Sequence, residues 1–223
     1  ATDASGVVKA IMDEMYDYFV GKKTLPHKLR ISLACCLNMC GAIHATDLAV
    51  VGVHTRVPTI DHDHMTVLCE LPTTQASCPT GAIRKHPDPN IKSVVVNDEK
   101  CMYCGNCFTV CPAMPIAHAE GGGIAIHAGG TVSNARKAPM FSRLVIPYIP
   151  NNPPRWPEVT SVLKNIVEVY ASNARPFERV GEWIERVGWE RFFKLTGIPF
   201  VEQNIDDFEL ARDTLRTTTQ FKW

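Results

Sequence analysis

The sequence predicts an α+β fold in which a small cysteine-rich module interrupts a larger domain. Apolar residues recur at the spacing of an amphipathic helix over residues 3–20, and two β-like runs follow at residues 29–34 and 48–53. From residue 57 to residue 120 the pattern changes to short strands, prolines and most of the cysteines. We therefore expect residues 1–56 and 121–223 to build the larger domain and residues 57–120 to be an insertion.

The C-terminal third predicts one short strand and two helices. Glycine turns flank the apolar run 124–126, and a proline-rich loop over 147–157 ends where a helix begins at Pro157, a position at which proline's missing donor is not needed. A second helix is expected from near Pro176 to just before Gly197. The apolar stripes of both helices predict core or subunit-contact residues rather than catalytic ones: Val159, Val162, Leu163, Ile166, Val167, Tyr170, Val180, Trp183, Ile184 and Val187.

Composition narrows the class of protein. The 23 basic and 23 acidic residues balance, so net charge does not favour binding to nucleic acid or to a membrane surface. No stretch reaches the roughly 18 consecutive apolar residues of a membrane-spanning helix. Seven of the nine cysteines fall in two tight groups, a pattern typical of thiolate ligation in a reducing cytoplasm. The chain opens at Ala1 and runs directly into a helical pattern, so we expect an N-terminally truncated fragment.

The second cysteine group has the spacing of a bacterial ferredoxin. In the run Cys101-x2-Cys104-x2-Cys107-x3-Cys111-Pro112, the first three thiolates are expected to bind one [4Fe–4S] cluster, while the fourth cysteine serves a different cluster. The remaining ligand of the first cluster must come from a distant Cys-Pro pair, which Cys78-Pro79 supplies. A zinc knuckle is the alternative, but zinc sites favour paired Cys-x2-Cys units far apart in sequence.

A second cluster in this module is not expected. Two-cluster ferredoxins are internal duplications, and counting back from Cys78 places Leu68, Leu71 and Thr74 where its cysteines would stand. Cys69 lies one residue out of register, and Cys111 is left without a cluster. We therefore predict Cys69 and Cys111 to be small buried apolar residues.

The first cysteine group, Cys35-Cys36-x3-Cys40, offers three thiolates without a fourth in register. Adjacent cysteines point in different directions on an extended chain, so both can meet one cluster only where the backbone turns sharply. Asn38 and Gly41 would allow such a turn. Buried cysteines at the end of a strand remain the alternative.

These residues resemble a known family. The stretch Leu25-Pro26-His27-Lys28-Leu29-Arg30-Ile31-Ser32, followed by Cys35-Cys36-Leu37-Asn38-Met39-Cys40-Gly41, is similar to the siroheme–cluster loop of sulfite reductases, and the doubled cysteine resembles the dissimilatory β subunit. The likeness continues through the ferredoxin run, through Gly129-Gly130-Thr131-Val132-Ser133-Asn134-Ala135-Arg136, and into the C-terminal helices. It covers essentially the whole chain.

The resemblance implies a siroheme sulfite/nitrite reductase-like α/β domain with an inserted ferredoxin-like module and a helical C-terminal extension. It implies two [4Fe–4S] clusters and a siroheme, with Cys35, Cys36 and Cys40 as ligands of the siroheme-coupled cluster and Cys40 as the bridge. That cluster's fourth ligand would lie upstream, outside this chain. Implied partners are sulfite, an α subunit in an α2β2 assembly and the small sulfur-carrier protein DsrC.

Several basic residues are candidates for the siroheme site. Lys28 and Arg30 alternate on one face of the predicted strand, so both can point into one cavity, where the family places catalytic cations; a solvated strand face is the alternative. Candidates for binding the siroheme carboxylates are Gly129, Gly130, Asn134, Arg136, Lys137 and Arg143. The run Asp61-His62-Asp63-His64 could bind a metal, although an exposed polar loop is favoured.

The function implied is reduction of sulfite toward sulfide by electrons relayed through the ferredoxin-type cluster to the siroheme-coupled centre. The main alternative is a non-catalytic electron-transfer subunit that has two clusters and no siroheme. A third is nitrite or another oxyanion as the physiological substrate. The sequence leaves the direction of the reaction in the cell open.

Overall fold

A computed structural model describes residues 2–118, 121–132 and 138–205 of the chain. The helices are α1 (Ala4–Glu14), α2 (Tyr16–Phe19), α3 (Met65–Leu68), α4 (Leu71–Ala76), α5 (Asn106–Val110), α6 (Pro157–Asn173), α7 (Val180–Val187) and α8 (Trp189–Thr196). The strands are β1 (Ile31–Ala34), β2 (Leu48–Val53), β3 (Ile83–Lys85), β4 (Val94–Val96), β5 (Gly123–Ala128) and β6 (Arg143–Pro150). The predicted α+β class is confirmed.

The main sheet has the strand order β1-β2-β5-β6. Strands β1 and β2 are parallel, with Ala34 opposite Val51, whereas β2–β5 and β5–β6 are antiparallel. Because β2 precedes residues 57–120 and β5 follows them, two distant parts of the sequence pair directly, with Leu48 opposite Ala128. The intervening segment therefore leaves the sheet after β2 and returns to it at β5.

One face of the main sheet packs against helices α1, α6, α7 and α8. Apolar side chains at helical spacing on α6 and at alternate positions on β2 and β5 meet in this core, as the sequence pattern predicts. At its centre the fully buried Trp183 contacts Tyr170 and Phe192 edge-on, at ring-centroid distances of 5.8 and 5.7 Å. These residues are structural, as expected.

The segment between β2 and β5 has its own sheet and its own core. Strands β3 and β4 pair antiparallel, with Ile83 opposite Val96. The buried residues of this second core are Met65, Ile83, Val94, Cys107, Cys111, Ala113 and Met114. The small core lies directly behind the predicted ferredoxin cysteines, and it fixes the backbone that carries them.

Three elements differ from the sequence prediction. The helix over 3–20 is interrupted at Met15, which separates α1 from α2. The single helix expected after Pro176 begins at Val180 and is divided by Gly188, whose φ of 85° is incompatible with a continuous helix. Two prolines of the expected loop, Pro147 and Pro150, lie in β6, an edge strand, where a missing amide donor is tolerated.

Cys69 and Cys111 form a disulfide with a Cα–Cα distance of 5.4 Å. The prediction that both are unpaired apolar residues is therefore wrong, although Cys111 is fully buried. The pair joins the end of α3 to the residue that follows α5. In sequence, Cys69 directly follows Leu68, one of the three positions where ligands of a second cluster are missing.

Candidate metal centre

The four predicted ferredoxin ligands line one small cavity. Cys78, Cys101, Cys104 and Cys107 all border it, and the rest of the wall is largely apolar, with Pro58, Ile83, Val96 and Ile116 among its residues. All four carry free thiols. Four thiols around one enclosed space fit a [4Fe–4S] cluster, whose irons are held by Cys thiolates. Among the described residues, no three His, Cys, Asp or Glu side chains have the arrangement of a single-ion site.

The backbone between Cys101 and Cys107 bends sharply enough to present three thiols to one side. Tyr103 and Gly105 both have positive φ, of 56° and 78°, and α5 begins directly after Gly105. Asn106, the first residue of that helix, donates from its side chain to the carbonyl of Ser77 at 2.6 Å. This hydrogen bond ties the ferredoxin loop to the residue next to Cys78, so the distant fourth thiol is held beside the other three.

The thiols differ in how readily they ionise. Burial raises the pKa of Cys107 to about 11, and burial also raises the pKa of Cys101. Burial acts in the same direction on Cys78, but hydrogen bonds from Thr80 and from backbone amides, including that of Ala82 at 3.2 Å, outweigh it and lower the pKa of that thiol. Binding to iron requires thiolates. The positive charge of the bound iron must therefore offset the free-energy cost of deprotonating the buried thiols of Cys101 and Cys107.

The first cysteine group follows β1 on a tight loop. Met39, Gly41 and Ala42 all have positive φ, so the chain reverses on both sides of Cys40, as the sharp turn predicted from Gly41 requires. Gly52 in β2 makes room for this loop, because a Cβ there would lie 2.7 Å from the carbonyl carbon of Cys35. The start of the loop therefore packs directly against strand β2 of the main sheet.

The three thiols of this loop differ in accessibility. Cys36 is buried, Cys35 is half-buried and Cys40 is exposed. Burial is the main cause that raises the pKa of Cys36, and the neighbouring thiols Cys35 and Cys40 add to it. Of the three, Cys40 is therefore the thiol that a large group outside the loop can reach most easily.

The two cysteine loops touch each other. Gly105 lies against Cys36, since a Cβ at position 105 would stand 3.1 Å from Cys36 Cβ and 3.5 Å from Cys36 Sγ. Both residues are buried. Sequence reasoning missed this contact, because the glycine of the ferredoxin run reads only as a turn residue.

Lys28 and Arg30 line the same groove, of about 630 Å³, between β1 and the first two helices. Its wall is mostly apolar, with Ile11, Met15 and Leu33 among the lining residues, and none of them is a cysteine. The structure thus brings Lys28 and Arg30 together with each other but does not join them to the thiols in one cavity.

The glycine turn after β5 is held by the fold itself. The amide of Gly129 donates to the carbonyl of Asp47 at 2.9 Å, so in this structure it does not serve an anion as expected. Gly130 packs so closely on the segment before β2 that a Cβ would lie 2.6 Å from the carbonyl oxygen of His44. Arg143 stacks on Trp189 at 5.7 Å from the ring centre. Asn134, Arg136 and Lys137 lie outside the described residues.

The run from Asp61 to His64 behaves as a polar loop. Its four residues are exposed, and His64 contacts Asp61 within the loop at 2.8 Å. His62 Nδ1 lies 2.7 Å from Ser93 Oγ. The exposure of all four residues agrees with the exposed polar loop that the sequence favours.

Comparison with known proteins identifies the family to which this chain belongs. The chain belongs to the family described as the nitrite and sulphite reductase 4Fe-4S domain, which matches residues 1–203.

Its similarity to particular members is high. The chain is 54% identical over 228 residues to the β subunit of dissimilatory-type sulfite reductase from Nitratidesulfovibrio vulgaris (strain Hildenborough), and 51% identical over 226 residues to that of Archaeoglobus fulgidus. All of this chain is covered, against 60% and 61% of those relatives, so the chain spans about three-fifths of their length. The α subunit from Allochromatium vinosum is 24% identical over 188 residues, covering 80% of this chain and 44% of that subunit.

A solved structure supports the fold. The crystal structure of dissimilatory sulfite reductase I superposes with a TM-score of 0.71 at 21% identity, covering 92% of this chain and 50% of that one. Within the part of the chain that the structure describes, no helix is both long enough and apolar enough to cross a membrane.

Proposed function

We propose that this chain is part of the catalytic β subunit of a dissimilatory sulfite reductase and that it serves to reduce sulfite toward sulfide. The observation that carries this proposal is the pair of thiol sets on adjoining loops, four around one cavity and three on the loop after β1. The high identity to β subunits over the whole chain supports it. In this proposal residues 57–120 form an inserted ferredoxin-like domain, and residues 1–56 and 121–223 belong to the sulfite reductase domain.

Each cluster has its own ligands in this scheme. Cys78, Cys101, Cys104 and Cys107 hold a ferredoxin-type [4Fe–4S] cluster that receives electrons. Cys35, Cys36 and Cys40 hold three corners of a second [4Fe–4S] cluster, whose remaining ligand is contributed from outside this chain. The exposure of Cys40 supports its assignment as the thiolate shared with siroheme.

Siroheme would supply a redox-active iron centre at which an anionic substrate could be reduced one electron at a time. The residues of this chain would surround it with positive charge, because sulfite and the siroheme carboxylates are anionic. Lys28 and Arg30 line one groove that is separate from the thiols, and the family resemblance alone makes them our candidates near the substrate. Of the residues expected to bind the carboxylates, the amide of Gly129 is taken by Asp47, so our candidates are Gly130, Asn134, Arg136, Lys137 and Arg143.

The assembly we propose is an α2β2 complex in the cytoplasm, with the small sulfur-carrier protein DsrC as a further partner. Relatives of this chain include proteins named as α subunits as well as β subunits, which supports an α–β pairing. The balanced charge of 23 basic and 23 acidic residues agrees with a protein partner rather than a nucleic acid.

Optical spectra of the complete β subunit with its partner test the proposal. We expect siroheme bands in addition to cluster absorption, together with sulfite-dependent oxidation of reduced methyl viologen. Cluster absorption without siroheme bands would instead identify a non-catalytic electron-transfer subunit. Faster turnover with nitrite than with sulfite would show that another oxyanion is the preferred substrate.

A further inference from the structure

The two cysteine loops are in close contact at a glycine. Gly105 directly follows Cys104, and its α carbon faces Cys36. A Cβ at this position would meet Cys36 Cβ at 3.1 Å, Cys36 Sγ at 3.5 Å and Ile116 Cγ2 at 3.7 Å. A Cβ at 3.1 Å is tighter than an ordinary contact, so even the smallest side chain would require Cys36 to shift by a few tenths of an ångström. A larger side chain or a water molecule would have to push the two loops apart.

The surroundings of this contact are apolar and closed. Cys36, Gly105 and Ile116 are all buried. Ile116 also lines the cavity of the ferredoxin thiols, so the contact adjoins that cavity. One wall of the ferredoxin site is therefore continuous with the thiol of Cys36.

We infer that Gly105 is a positioning residue that sets the approach of the two clusters and that electrons cross between them at the Gly105–Cys36 contact. The inference rests on the proposed function, since it needs a cluster on each loop. One electron leaves the reduced ferredoxin-type cluster, which is oxidised, and enters the cluster bound by Cys36, which is reduced. A low-potential one-electron donor, such as a reduced viologen, supplies the electron, and no bond is formed or broken.

A glycine here meets two separate requirements. Its φ of 78° favours glycine, and the contact with Cys36 leaves space for a side chain only if Cys36 moves. Gly81 in the same module meets only the first, because its φ is 63° and the nearest atom to a Cβ there is the side-chain nitrogen Nη2 of Arg84, at 3.4 Å. Gly81 is therefore a matched control for the backbone strain alone.

The experiment uses the complete β subunit assembled with its partner and compares Gly105→Asn and Gly105→Ala with Gly81→Asn and Gly81→Ala. Asparagine tolerates positive φ better than most residues, so it adds bulk with limited strain. Iron content and electron paramagnetic resonance first establish that both clusters are present. Freeze-quench spectra after mixing with photoreduced methyl viologen then follow the electron from the ferredoxin-type cluster to the second cluster.

We expect transfer between the clusters to be several-fold slower in both Gly105 variants, and slower in Asn than in Ala, while the Gly81 variants keep the wild-type rate. Wild-type transfer in a Gly105 variant that retains both clusters would overturn the inference. Equal slowing in the Gly81 variants would attribute the effect to strain and overturn it as well. A wild-type protein without a second cluster signal would contradict the proposed function instead. If Gly105→Asn loses iron, the smaller Gly105→Ala decides, since its Cβ requires Cys36 to move only slightly.

Discussion

Arg179 donates hydrogen bonds through Nε and Nη2 to Asp47, a carboxylate with no exposed surface. The same carboxylate accepts from the backbone amide of Arg30 at 3.0 Å, and the carbonyl of Asp47 accepts from Gly129. Asp47 directly precedes β2. Through these hydrogen bonds it holds the residue before β1, the turn after β5 and Arg179, which directly precedes α7. Lys28, Arg30 and Gly129, all candidate site residues, belong to or adjoin the segments that this pair holds.

Replacing Arg179 with Met should destabilise the protein by about 3 kcal/mol, because it leaves a buried carboxylate without its ion-pair partner. Urea unfolding with a fluorescence signal would measure the loss. The matched control is Lys194→Met, which breaks an exposed pair with Glu190 and should cost less than about 1 kcal/mol. Equal losses in the two variants would show that the buried pair has no special importance.

Cys104→Ala in the complete subunit should remove about four irons per chain, since it deletes one of four ligands of a cluster that needs all of them. Cys111→Ala should leave the iron content unchanged, because Cys111 does not line the thiol cavity. Iron and acid-labile sulfide assays measure both variants. Loss of iron in Cys111→Ala would contradict this expectation and show that Cys111 is a cluster ligand.

The disulfide can be tested separately from the iron. Under denaturing, non-reducing conditions after removal of iron, seven of the nine cysteines should be alkylated and two protected, as Cys69 and Cys111 are paired. With a sequence separation of 42 residues, the link should contribute at most about 4 kcal/mol through the entropy of the unfolded chain. Peptide mass mapping before and after reduction identifies the pair, and alkylation of all nine without reduction would refute it.

The sequence predicted most elements because their patterns are local. Strand β2 and the start of α6 at Pro157 were expected at the positions found, since alternation, periodicity and a proline at the first helical position can be read within a few residues. Strand β6 was missed because prolines are tolerated in a strand only at an edge, and edge position is a tertiary property.

The same limit applies to the site. Cysteine spacing singled out the four thiols that line one cavity, because the spacing itself encodes the loop; that they bind a cluster stays a prediction. Neither the Cys69–Cys111 pair nor the Gly105–Cys36 contact could be predicted, because each joins residues far apart in sequence through packing. Asp47 and Arg179 are likewise 132 residues apart.

Stability should fall as pH decreases through the range from 6.5 to about 4, partly because of His127. Burial, with a smaller effect of His44, lowers the pKa of His127 to about 4, so in this range the unfolded chain binds the proton and the fold does not. Stability from this residue is therefore present above pH 6.5 and is lost on acidification, by about 2 kcal/mol between pH 7 and pH 5.

His127→Phe should weaken this pH dependence, whereas His64→Gln, at an exposed loop position, should retain it. Urea unfolding at pH 7 and at pH 5 measures the difference between each variant and the wild type, so that acid effects on the clusters cancel. His54, whose pKa is also lowered to about 4, mainly by burial, should account for part of the dependence that remains. An unchanged pH slope in His127→Phe would contradict the assignment.

Cys40 is the thiol we expect to be shared between the second cluster and siroheme. It is the exposed member of its group, and positive φ at Met39 and Gly41 turns the backbone away on both sides, so its sulfur can be approached from two directions. In the complete subunit with its partner, Cys40→Ser should abolish sulfite reduction while the ferredoxin-type cluster at Cys104 and its fellow ligands persists. The control Cys111→Ser should keep activity. Electron paramagnetic resonance decides the assignment, because a Cys40→Ser protein with normal magnetic coupling between cluster and siroheme would place the bridge at Cys35 or Cys36.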